Sequence, residues 1–186
     1  MDPTSRITTG TEELRHYQVE ERLLDGRPVT LRAIRPDDRD ALRQGFHRMS
    51  ERSVYYRFFQ AKRELSDAEL SYLTEIDFDR HVALVAMLEE DGGVGVGRYI
   101  VDPATGAAEV AFAVDDPHQG LGVGTLLLTH LVRIARARGI PELVAYVLAE
   151  NRSMIEVFEH AGFPMKRRRE GNVIVLSIEL CGPMEN

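Results

Sequence analysis

The chain has a single cysteine, Cys181, in 186 residues. One thiol cannot close an intrachain disulfide, and no Cys/His cluster has the spacing of a zinc site, so neither a disulfide scaffold nor a metal centre is expected. A reducing cytoplasm is the default setting for such a chain. Basic residues are in the minority, 23 Lys and Arg against 30 Asp and Glu, for a formal net charge of −7. Binding along a phosphate backbone needs a basic surface, which argues against nucleic acid as the main partner. An acidic surface weakly favours basic partners, such as amines or lysine-bearing proteins. No apolar run is long enough to span a bilayer, so no membrane partner is expected. Met1 to Gly10 are polar with no apolar core, so no secretory signal is expected either. What remains is ordinary: 44% hydrophobic and 28% charged residues, the composition of one soluble globular domain with a substantial core, monomeric or homodimeric.

Residues 1–16 read as a flexible tail ending in a polar stretch with helical potential, and 17–182 as the domain. Tyr17–Leu24 and Val29–Ile34 flank Asp25-Gly26-Arg27-Pro28, a hairpin signal. Arg35-Pro36-Asp37-Asp38 opens a helix carrying Leu42, Phe46 and Met49, and Ser50 to Phe59 form a second. Ser66-Asp67-Ala68-Glu69 is a capping box for a third, with Leu70, Leu73 and Ile76 as its apolar stripe. The period then changes. Val82–Leu88 is a nearly continuous apolar run, as in a strand covered on both faces, and Val94–Val101 and Ala107–Val114 follow as strands. A long amphipathic helix (Leu126, Leu127, Leu131, Ile134, Ala135) ends at Gly139. Leu143–Leu148 is a strand, Ser153–Ala161 a helix, and Phe163–Arg169 and Val173–Leu180 the last two strands. The order predicts a single α/β domain with a mixed, mostly antiparallel sheet and helices on both faces.

The informative segment is Gln119-Gly120-Leu121-Gly122-Val123-Gly124-Thr125, between a strand and the long helix. Glycines let main-chain N–H groups approach a ligand, and a helix N-terminus adds partial positive charge, so together they form an anion site. A phosphate-binding Walker loop would need Gly-Lys-Ser/Thr, and no lysine is present. A dinucleotide fingerprint would need G-x-G-x-x-G, where this is G-x-G-x-G. Glu142 lies at about the right distance for that fingerprint but precedes the next strand instead of ending it.

Gln119, Gly122 and Gly124 do match Q/R-x-x-G-x-G/A, and Asn151 with Ala161-Gly162-Phe163 matches a later block at the right separation. Over roughly residues 28 to 180 the chain resembles the GNAT family of acetyl-CoA-dependent N-acetyltransferases. Ser50–Phe59, Leu65-Ser66 and Ile76–Ala86 further resemble the acetyltransferase domain of bacterial Pat-type protein lysine acetyltransferases. Such enzymes often carry an extra regulatory domain, which is not expected within these 186 residues.

The resemblance implies acetyl-CoA as acyl donor and transfer to a primary amine, either a protein lysine or a small molecule. A non-catalytic acyl-CoA sensor is the alternative from another class. It implies that the pantetheine arm pairs with main chain near Phe112, Ala113 and Val114, and that amides from Gly120 to Thr125 receive the pyrophosphate. Glu109 is the candidate general base. An amine near its reference pKa of about 10.4 must lose a proton before attack, and this carboxylate is alone in an apolar strand, Ala107-Ala108-Glu109-Val110-Ala111-Phe112. In a regular strand Glu109 and Phe112 point to opposite faces, a difficulty that a β-bulge between them would remove. A main-chain N–H of the same strand is the economical donor to the oxyanion. Many family members protonate the leaving thiolate with a tyrosine; here that position is Phe158, and Tyr146 has no assignable role. Asn151 suits either the pantetheine contact or a helix N-cap. His81 is an assistant in proton removal or a structural histidine, and His118 a surface residue. Gly93, Gly95 and Gly97 leave space on one strand face, and Lys166–Arg169 is a solvated edge strand.

Overall fold

The computed structural model describes residues 10–180. The first part of the expected tail, Cys181 and the domain's expected end at residue 182 lie outside the described residues. The tail does not extend to residue 16. A short helix α1 (Thr11–Arg15) carries two glutamates in its first turn and buries Leu14 in the main core.

Eight strands form one sheet in the order β1-β2-β3-β4-β5-β6-β8-β7. β1 (Gln18–Arg22) and β2 (Pro28–Ala33) are the predicted hairpin, and Gly26 in its turn adopts φ 87°, open only to glycine without strain. α2 (Arg39–His47), α3 (Glu51–Phe58) and α4 (Asp67–Thr74) follow, the last two capped by Ser50 and Ser66. Ser66 and Glu69 close the full capping box. β3 (His81–Leu88), β4 (Gly92–Val101) and β5 (Ala108–Val114) are antiparallel neighbours. β3 is buried along nearly its whole length, as its continuous apolar run requires. After α5 (Val123–Ala137) come β6 (Glu142–Leu148), α6 (Arg152–His160), β7 (Lys166–Glu170) and β8 (Val173–Glu179). Only the β5–β6 pair is parallel. β7 is exposed throughout and ends the sheet, where charged side chains discourage pairing with another chain.

α5 covers one face of β3, β4 and β5, and α2 and α3 cover the other. The glycines of β4 explain how α5 sits so close. A Cβ on Gly95 would stand 2.7 Å from Val123 Cγ1, and one on Gly97 2.8 Å from Phe112 Cδ1. Gly93 differs from the expectation. Ala86 is opposite Gly95 but Met87 is opposite Gly93, so the register skips Val94 and turns Gly93 toward Ala41 on α2. Phe46, Val54, Leu65 and Leu70 form a second apolar cluster within the α2–α4 layer.

Candidate active site

β5 and β6 are paired only at Ala108↔Leu143 and Glu109↔Val144. Beyond these rows each strand continues with its outer partner, β5 with β4 to Val114 and β6 with β8 to Leu148. A wedge therefore opens in mid-sheet directly after Glu109. Its two lips, the glycine loop and the helices α3 and α6 enclose a trough of about 1210 Å³. Asp115 N–H donates to Val94 carbonyl oxygen at 3.1 Å, which sets the phase of the β4–β5 ladder. Alternation then directs the main-chain groups of Val110, Phe112 and Val114 into the wedge. The register of β5 is regular, with no bulge between Glu109 and Phe112. The parity difficulty disappears for another reason: Phe112 meets the wedge through its main chain, while its buried ring packs against Phe158 at 6.0 Å. Ala113 points its side chain the other way, toward the helical layer.

The far end of β5 is fixed by buried charge. Asp115 accepts from Arg48 Nε at 2.6 Å and lies 2.6 Å from His118 Nδ1, whose Nε2 is 3.2 Å from Asp91. His118 is thus a buried member of this network and not a surface residue. Gln119 turns its amide back to the Val114 carbonyl oxygen at 3.2 Å. Gly120 (φ 75°) and Gly122 (φ 89°) then bring the chain into α5. The first helical bond from Gly122 runs to Leu126 N at 3.0 Å, so the amides of Val123, Gly124 and Thr125 have no partner within the helix. No acidic residue stands in that first turn and no side chain caps it. Leu121 is held by its carbonyl oxygen, which accepts from Leu24 N at 3.0 Å. Val123 is buried by its side chain and can offer a ligand only its amide. Gly124 is small because α6 lies against it: a Cβ there would be 3.0 Å from Val157 Cγ2. These free amides at an uncapped 15-residue helix fit a pyrophosphate, and the wedge main chain fits a pantetheine arm.

Glu109 is exposed at the apex of the wedge. Cross-strand rows place it on the face covered by α3, with Ile100 and then His81 beside it. His81 is two strands away, roughly 10 Å, and its Nε2 is 2.9 Å from Arg98 Nη1. Burial, with the Arg98 charge beside it, pushes the His81 pKa down to about 4. It stands as a neutral acceptor for Arg98, so direct assistance to Glu109 has no geometric support. Asn151 is buried and caps α6, accepting from Met154 N at 3.2 Å, while also lining the trough. Phe158 is fully buried and carries no dissociable proton. Tyr146 is half exposed and lines the opposite lip of the wedge.

Two residues that sequence reading did not single out complete the site. Arg98, on β4, is buried, and burial and then the charge of Arg57 draw its pKa down to about 9. Arg57, on α3, lines the trough and is itself shifted down by burial, with Glu109 opposing the shift. The pairing of β4 with β5 reveals Arg98, and the packing of α3 beside the trough reveals Arg57.

Among the described residues, no group of three or more His, Cys, Asp or Glu is arranged to hold a metal ion, and no helix is long and apolar enough to cross a membrane. The sequence profile of the Acetyltransferase (GNAT) family matches residues 41–163. An acetyltransferase of Pseudomonas aeruginosa is 35% identical over 159 residues, 84% of this chain and 86% of that protein. The acetyltransferase Pat of Mycolicibacterium smegmatis is 32% identical over 146 residues, 77% of this chain but 44% of Pat. The crystal structure of the GNAT domain of S. lividans PAT superposes with a TM-score of 0.79 at 36% identity, covering 87% of this chain and 96% of that domain.

Proposed function

The chain belongs to the acetyltransferase (GNAT) family, and from that premise we propose that it acetylates a protein lysine, with Glu109 as the general base. The acyl donor is a substrate here. Acetyl-CoA lies with its pyrophosphate on the amides from Gly120 to Thr125 and its arm along Val110–Val114, with Gln119 bracing the strand end and Asn151 at the second lip. Glu109 takes a proton from the ammonium directly or through water, the neutral amine then attacks the thioester carbonyl carbon, and the C–S bond breaks to release the coenzyme A thiolate while the second nitrogen proton passes to solvent. Holding amine and thioester together supplies much of the acceleration. A thiolate of pKa about 8.5 can leave without a proton donor, which suits the buried Phe158.

The observation that carries this reading is the splay of β5 from β6 immediately after Glu109, which sets a carboxylate at the apex of a slot lined by free main chain. Lysine as the acceptor rests on the likeness to Pat-type domains and on the exposure of Glu109, which a long side chain reaches from solvent. The test follows free thiol with acetyl-CoA and lysine peptides. Glu109→Gln should bind acetyl-CoA as the wild type does and lose about 10²- to 10⁴-fold in turnover. Undiminished turnover would remove Glu109 from the mechanism, and binding without turnover in the wild type on every amine would favour a sensor.

A further inference from the structure

Building on the reading of Glu109 as the base, the cations beside it point to the character of the acceptor. Arg98 and Glu109 occupy diagonal positions on one sheet face, since Arg98 is opposite Ala111 and Ile100 opposite Glu109. Such neighbours are roughly 7 to 8 Å apart. Arg98 uses Nη1 for the Leu73 carbonyl oxygen at 3.1 Å and for His81. Among the described residues, neither Arg98 nor Arg57 forms an ion pair, although each lies in a setting that penalises its charge. The Arg57 guanidinium lies over the ring of Phe58 at 5.1 Å and feels the charge of Glu109.

Both arginines line a small, mainly apolar cavity of about 70 Å³ beneath α2 and α3. Met49, Arg57, Phe58 and Ala113 line both this cavity and the trough, so the two adjoin across these residues, with Glu109 on the trough side and Arg98 on the cavity side. The cavity's own carboxylates are already engaged. Asp38 accepts from Arg32 at 2.8 and 2.6 Å, and Asp115 is held by Arg48 and His118. Two like charges kept together away from water cost stability, and an anion placed between them reverses that sign.

We infer that the acceptor carries a carboxylate close to its reactive amine, and that Arg57 and Arg98 receive this carboxylate while Glu109 takes the proton. A planar guanidinium matches a carboxylate with two parallel hydrogen bonds and tolerates partial burial better than an ammonium does. The carboxylate comes either from an acidic residue next to an acceptor lysine or from a free amino acid, and both present the same group to the pair.

The experiment compares matched acceptors: a lysine peptide with aspartate beside the lysine against its asparagine counterpart, and 4-aminobutyrate against its amide. In at least one pair the carboxylate member should have about tenfold higher kcat/KM, expressed in KM. Arg57→Gln should bring that ratio to within about twofold of one. Binding of the same acceptors to the Glu109→Gln protein with coenzyme A present gives a readout that needs no turnover. A failed general base would leave the binding preference and its loss in Arg57→Gln intact. Equal or weaker use of the carboxylate members in both pairs, or a preference unchanged in Arg57→Gln, overturns the inference.

Discussion

Glu109 is exposed, and Arg57 lies close enough for the two charges to interact. The neighbouring polar residues have mainly architectural tasks. Arg32 and Asp38 are 13% and 7% exposed and share two hydrogen bonds, and Asp38 also accepts from Arg35 N at 2.7 Å. Asp38→Ala should lower unfolding free energy by about 3–5 kcal/mol in denaturant titration, because it strands a buried guanidinium. His81 gives a pH signature. Its folded pKa of about 4 lies below the ordinary 6.5, so between those values the unfolded chain binds the extra proton. Its contribution is complete above pH 6.5 and is lost as pH falls toward 4, to a limit of roughly 3 kcal/mol. His81→Asn should therefore show a shallower loss of stability between pH 7 and pH 4.5 than the wild type. Equal slopes would mean that His81 is not held neutral.

At the level of elements, the site depends on how closely α5 meets β4. Gly95→Val would drive a side chain into Val123, whose Cγ1 is 2.7 Å from the position of a Cβ. Overpacking of this kind costs about 1–3 kcal/mol, and since Val123 begins α5 the displacement should also weaken acetyl-CoA binding, read by calorimetry beside the urea midpoint. A loss of stability with unchanged binding would separate the packing of β4 from the anion site. The glycine loop was legible in the sequence because positive φ at Gly120 and Gly122 restricts those positions chemically. Glu109 was legible as a lone charge in an apolar strand, and the capping box at Ser66 by its spacing. The wedge was not legible, since the point where β5 and β6 part is a property of two strands 35 residues apart at their paired positions. The same holds for His118, whose burial depends on Arg48 and Asp91 from other elements, and for the register skip at Val94. Asn151 shows the overlap of two readings, since its side-chain oxygen caps α6 at the very lip of the trough.

Across the whole molecule, the sheet divides labour between two halves joined by one short parallel contact. β1 to β5 with α2–α4 carry Glu109, Arg57 and Arg98, while β6 to β8 with α6 supply the second lip. The formal charge of −7 is a long-range property of the whole chain, whereas Arg57 and Arg98 act only on groups that come close to them. The central claim is that Glu109 deprotonates the acceptor, and it is tested most directly by the ratio of wild-type to Glu109→Gln turnover as pH rises. With saturating acetyl-CoA and a lysine peptide, that ratio should be about 10²–10⁴ near pH 7 and shrink steadily toward pH 9.5, where solution itself supplies neutral amine as the lysine pKa of about 10.4 is approached. A ratio near one at pH 7, or one that stays constant across this range, would contradict it.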